Sequence, residues 1–135
     1  MVKEFLDKLI ENCKTHNIDI DNLGDGEIQL TYNYITFDLQ CFMSHDNKLE
    51  VPLTVVSMLI KGEEYNYEHY DFVDIDYSSS YDTVEEAIIE VMDAILNCDA
   101  RRKIVKIINS FESYIEDMTE KDLKILFSYI RNTYD

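Results

Sequence analysis

The residues with most scope for chemistry lie in one run, DIDYSSSYDTVEE, over residues 74–86. It sets Asp74, Asp76, Ser78, Ser80, Asp82 and Glu85 at the spacing of an oxygen-ligand loop for a hard cation, with Glu85 as the bidentate closing ligand. Two features count against calcium. Ser79 stands where the sharp turn wants glycine, and the preceding segment reads as strand rather than helix. A strand-to-helix connection whose acids cap the helix start is the favoured reading. The earlier run DIDNLGDGE has its glycine in place but offers Leu23 and Leu30 where ligands are needed.

Other constellations are thinner. Cys13 and His16 are three apart, a spacing for two zinc ligands, but no CxxC or second histidine pair completes a set. Ser44–His45–Asp46 names the members of a triad, yet adjacent residues point apart and cannot relay a proton. No phosphate loop, dinucleotide fingerprint or HExxH motif is present. The expectation is a protein that is not an enzyme and needs no cofactor.

Charge is the outlying property. Twelve basic and 28 acidic residues give a net charge of −16, and the imbalance is segregated. Residues 1–14 are neutral and residues 101–135 carry +1, while the middle holds 19 acids against Lys48 and Lys61. A solvated face ordinarily mixes signs, because like charges at helical or cross-strand spacing repel. Solubility explains acidity in general; segregation points to a basic partner surface. The cluster Tyr65, Tyr67, Tyr70, Phe72, Tyr77 and Tyr81 is interleaved with acids, which repels phosphate and excludes direct nucleic-acid binding there. Tyrosine beside carboxylate suits arginines, through ion pairs and cation–π contact.

The elements that position these residues follow from periodicity. Val2, Phe5, Leu6, Leu9, Ile10 and Cys13 define an N-terminal helix ending near Thr15–Asn17. DIDNLGDGE reads as a turn-rich loop. Alternation at Ile28, Leu30 and Tyr32, then at Ile35, Phe37, Leu39, Cys41 and Met43, marks two strands with a tight turn at Asn33–Tyr34. A third strand runs from Leu49 to Ile60, exposing an edge at Pro52, and Lys61–Gly62–Glu63 turns into a fourth over Tyr65–Tyr77. Thr83 with Glu86 has capping-box spacing for a helix along Val84, Ala87, Ile88, Val91 and Ile95. Further helices are expected from Ile104 to Met118 and after Thr119. The whole is one α+β domain over 1–135: an N-terminal helix, an antiparallel three- to four-stranded meander, then three C-terminal helices on one face. Three cysteines without a secretion signal read as cytosolic thiols on apolar faces. No run approaches a membrane span, so the expected compartment is the cytoplasm.

Strand 63–76 alone carries about one acid per 8 Å, too dilute to imitate a duplex. Helix acids Asp82, Glu86, Glu90 and Asp93 fall on one side at about 5–6 Å intervals. Strand and helix side by side would approach a nucleic-acid-like field. In charge, size and lack of a catalytic motif, the stretch EEYNYEHYDFVDIDYSSSYDTVEEAIIEVMD resembles phage-encoded acidic anti-defence proteins, the anti-CRISPR and anti-restriction inhibitors of the nucleic-acid-mimic type. That resemblance implies a stoichiometric inhibitor occupying the nucleic-acid site of a basic nuclease in the host cytoplasm. Its partner-binding residues would be Glu63, Glu64, Tyr65, Tyr67, Glu68, Tyr70, Asp71, Asp74, Asp76, Asp82, Glu86, Glu90 and Asp93. A toxin-neutralising immunity protein, a calcium-responsive module and an adaptor with incidental acidity are the alternatives.

Overall fold

The computed structural model describes residues 1–66, 76–77, 80–110 and 125. Helix α1 (Val2–Thr15) buries Phe5, Leu9 and Cys13, the apolar stripe of the sequence. Its end is set by Asn17 at φ 57°, in the left-handed region that asparagine tolerates. The Ile18 amide then reaches back 2.9 Å to the Cys13 carbonyl, and Asn17 to that of Lys14. This is the Schellman pattern, with Ile18 as its buried apolar residue.

Strands β1 (Asp19–Gly24), β2 (Glu27–Tyr32) and β3 (Ile35–Gln40) follow as an antiparallel meander. After β4 (Phe42–Met43) and β5 (Leu49–Glu50), the long β6 (Leu53–Ile60) returns to pair with β3. Strands β7 (Glu63–Asn66) and β8 (Asp76–Tyr77) both pair with β6. Among the described residues, the main sheet has the order β1-β2-β3-β6-β7, with β8 joined to β6. A second sheet, β4-β5-β9, is completed by β9 (Ser80–Tyr81). Helices α2 (Val84–Leu96) and α3 (Ala100–Ser110) follow the strands.

Three of the hairpins turn on two residues that both have positive φ: Asp25–Gly26, Asn33–Tyr34 and Lys61–Gly62. Turns of this hand match the twist of the flanking strands. Inward-facing Ile28, Leu30, Ile35, Phe37, Leu39, Leu53, Val55, Met58 and Ile60 meet the buried stripes of α1 and α2, with Ala100 and Ile104 of α3, in one core. Parity on β6 switches between Val55 and Met58. A bulge resolves it, since Phe37 pairs with Val55 but Thr36 with Ser57, leaving Val56 as the extra residue.

The expected α+β order holds in outline, with four corrections. DIDNLG is a strand rather than a loop, because an edge strand exposed at five of its six residues needs no apolar alternation. The expected strand Leu49–Ile60 is divided at Val51–Pro52, so its two parts serve different sheets; the Pro52 carbonyl still accepts from the Gln40 amide. The expected single strand through Tyr65–Tyr77 is not one ladder. Between its paired ends β6 advances by Val55 and Val56 alone, whereas the partner advances by residues 67–75. The meander is thus larger than three or four strands. Finally, two helices rather than three, α2 and α3, are delimited after the strands among the described residues; of the helix expected after Thr119 only Ile125 is described, in helical conformation.

The three cysteines are free thiols, with Cys13 and Cys41 buried and Cys98 half-buried. Burial pushes the Cys13 and Cys41 thiols up from 9.0 to about 11. The unfolded chain releases these protons near its ordinary thiol pKa, while the folded protein keeps them until about pH 11. Stability therefore falls with rising pH across that window, by on the order of 2 kcal/mol per thiol. Urea melts at pH 8 and pH 11 check this, and the variant Cys13→Ala should show a shallower loss. A second prediction concerns Gly26, whose φ is +80° and whose added Cβ would lie 2.6 Å from the Cys41 carbonyl oxygen. Backbone cannot retreat as a flexible side chain can. Gly26→Ala should cost about 1–3 kcal/mol in a denaturant melt, whereas Gly62→Ala, with open space around it, should cost less.

Candidate interaction surface on helix α2

Thr83 adopts an extended conformation and its hydroxyl accepts from the Glu86 amide at 3.2 Å, which starts α2 where the capping spacing places it. Val84, Ala87, Val91, Met92 and Ile95 then turn inward. That burial fixes the opposite face: Asp82, Glu85, Glu86, Ile89, Glu90 and Asp93 are all exposed. Ile89 is 69% exposed, a branched apolar side chain in the middle of the acids. The sequence reading missed it because Ile88, its half-buried neighbour, fits the apolar stripe and Ile89 does not.

The acids differ in their partners. Lys8 of α1 bonds Glu85 at 3.0 Å and Glu4 at 3.1 Å, tying the two helices together at the surface. The hydrogen bond with Glu85 is the main reason that the Lys8 pKa is raised and the Glu85 carboxyl is lowered. Lys48 lies 3.9 Å from Asp82. Asp93 accepts from the Asn97 side chain at 2.7 Å. Glu86 and Glu90 make no ion pair among the described residues. The uncompensated part of the surface is thus Glu86, Ile89, Glu90 and Asp93.

The described residues of the proposed strand surface do not extend that of α2. On β7, Tyr65 opposes Met58 and is 5% exposed, so its ring serves the core rather than a partner. Burial, followed by the charge of Glu63, raises the Tyr65 pKa. Side chains alternate along a strand, which sends Glu64 to the sheet face opposite the core, away from α2. Glu63 and Glu64 are exposed. Tyr67, Glu68, Tyr70, Asp71 and Asp74 lie outside the described residues, and of Asp76 only the backbone is described, in β8.

The described members of the calcium-spaced set do not converge. Ser80 sits in β9 and its hydroxyl donates to Glu50 at 2.6 Å, while Asp82 and Glu85 face Lys48 and Lys8. These three side chains are directed to three different partners, Glu50, Lys48 and Lys8; Asp74, Ser78 and the Asp76 side chain lie outside the described residues. No cluster of histidine, cysteine and carboxylate capable of holding a metal occurs among the described residues. His16 is exposed and its Nδ1 lies 2.9 Å from the Asn12 carbonyl, while Cys13 is buried, so the two do not face one site. Ser44 closes a polar turn by accepting from the Lys48 amide. No described helix is long and apolar enough to cross a membrane.

No protein-family model, curated protein or solved structure matches this chain. Function must be argued from its own surface.

Asp93 tests whether the acidic face serves stability. It lies in the last turn of α2, where the helix dipole disfavours negative charge and where no basic residue stands. Asp93→Lys removes that conflict and loses one exposed hydrogen bond. Net stability should rise by roughly 0.5 kcal/mol in a denaturant melt. A fall of 1 kcal/mol or more would identify Asp93 as a structural residue.

Proposed function

We propose that this protein is a non-enzymatic acidic inhibitor of the cytoplasm that binds a basic, nucleic-acid-binding protein, such as a CRISPR or restriction nuclease, and blocks its nucleic-acid site. The observation that carries the reading is the solvent face of α2, where Glu86, Glu90 and Asp93 stand exposed around Ile89. Helix-end effects fade beyond the first and last turns, so they do not account for Glu90, and Asp93 opposes the dipole at its end. Glu90 has no ion pair among the described residues, and Asp93 makes only an exposed hydrogen bond to Asn97.

Magnitudes refine the mode of binding. Successive carboxylates at i and i+4 rise about 6 Å along the helix, against about 3.4 Å between phosphates of one duplex strand. One helix therefore presents a single row at roughly half the phosphate density. It suits a partner groove that offers a few arginines around an apolar spot, with Ile89 as the central anchor and the acids as its charged rim. A toxin-neutralising immunity protein would use the same surface chemistry against a basic toxin.

The test is reversal of charge in two places. Glu86→Lys, Glu90→Lys and Asp93→Lys together should slow association with a basic CRISPR or restriction nuclease at least tenfold, since steering depends on summed charge. An oligonucleotide substrate should compete with the unmodified protein. Reversal of Asp21 and Asp46, on other elements, should change the rate less than threefold. Biolayer interferometry at two salt concentrations reads both. If the α2 set is silent and the control set abolishes binding, the surface has been misplaced.

A further inference from the structure

On the sheet face opposite the core, a groove of about 510 Å³ crosses the strands near the Asn33–Tyr34 turn. Its construction follows from the register. Asp19 pairs with Thr31, Thr31 with Thr36, and Thr36 with Ser57, so one row of small polar side chains runs perpendicular to the strands. The bulge at Val56 adjoins this row and increases the local twist. Thr31 and Thr36 share a hydrogen bond between their hydroxyls at 3.2 Å and leave their remaining lone pairs to the groove. Carboxylates mark its two ends, Asp19 on β1 and Glu64 on β7. No lysine or arginine lines it.

We propose that this groove binds a linear aliphatic polyamine, extended across the strands with an ammonium group at each end. Strands β1 and β7 are four spacings apart in the sheet order, which is about 19 Å at ~4.8 Å per spacing. A long linear diamine can span that distance, whereas a short one cannot. Hydroxyls and carboxylates only accept from ammonium groups, and the threonine methyls and Leu59 meet the methylenes between. An extended peptide fits less well, because the backbone groups of the interior strands are already paired in the ladders and would leave its own amides and carbonyls few partners. The neighbouring row reinforces the field: Asp38 pairs with Gln29 and Thr54, and its Oδ1 is buried without a hydrogen-bond donor among the described residues. Tyr34, at the turn, already holds one organic cation, with the Arg101 guanidinium 5.0 Å from its ring centroid. Arg101 lines the adjoining hollow and donates to the Leu59 carbonyl.

This site stands apart from the α2 surface, which allows the two to be tested separately. Calorimetry at fixed physiological ionic strength should show saturable, one-to-one binding of spermine. A long α,ω-diaminoalkane should bind at least tenfold more tightly than a short one of equal charge, because only the long one reaches both carboxylates. Asp19→Asn should weaken spermine at least fivefold and the isosteric Thr36→Val at least threefold. Glu86→Gln with Glu90→Gln should leave it within twofold. Equal affinity for the long and short diamines, or a loss that follows total charge wherever it is removed, would show mere counterion attraction and overturn the proposal. So would the absence of saturable binding.

Discussion

Strands β3 and β6 meet with Ile35 opposite Met58 and Phe37 opposite Val55, and this register decides which side of the sheet is dry. Side chains alternate with a period of two, so a slip of one residue would send Leu53, Val55, Met58 and Ile60 to the wet face together. The sequence of β6 could not satisfy one uninterrupted ladder, since its inward residues are odd-numbered before Val56 and even-numbered after it. One bulged residue reconciles the two halves. The rest is arranged around that solution: β2 takes its inward set from β3, β7 takes its own from β6, and α1 and α2 close over the combined apolar surface.

Where side-chain pattern and local chemistry agree, the sequence was a sufficient guide. Helix α1 was legible from its stripe, α2 from Thr83, and the Asn33–Tyr34 turn from the change of parity. The misreadings share a cause. Strand β1 is an edge, and its acids blunt that edge rather than alternate with core residues. Strands β4, β5, β8 and β9 are two residues long, too short for a period to show. Met43 was read as inward because it continues the parity of Cys41, yet β4 belongs to the second sheet and leaves Met43 39% exposed.

The candidate surface was legible in part for a related reason. Helical periodicity placed Asp82, Glu86, Glu90 and Asp93 on one side, and they are exposed together. What sequence spacing could not supply was the relation between elements. Strand β7 turns Tyr65 into the core and Glu64 to the far face of the sheet, so Glu64 and the helix acids lie on two surfaces instead of merging. Charge segregated along the chain is not the same as charge segregated in space. Lys8 adds a second lesson, because it sits in the neutral N-terminal stretch and yet reaches across to Glu85.

Helix α2 can carry so unfavourable an outer face because its inner one decides whether it forms. Burying Val84, Val91, Met92 and Ile95 is worth about 1.5–3 kcal/mol each before entropy is counted. Like charges at helical spacing cost only about 0.2–0.5 kcal/mol per pair when exposed. The acids together thus cost roughly 1 kcal/mol, which the core and the Thr83 cap offset several times over. Surface sequence on such a helix is nearly unconstrained by folding. A run of acids there, uninterrupted by any lysine and centred on an exposed isoleucine, is therefore not something the helix needs in order to form.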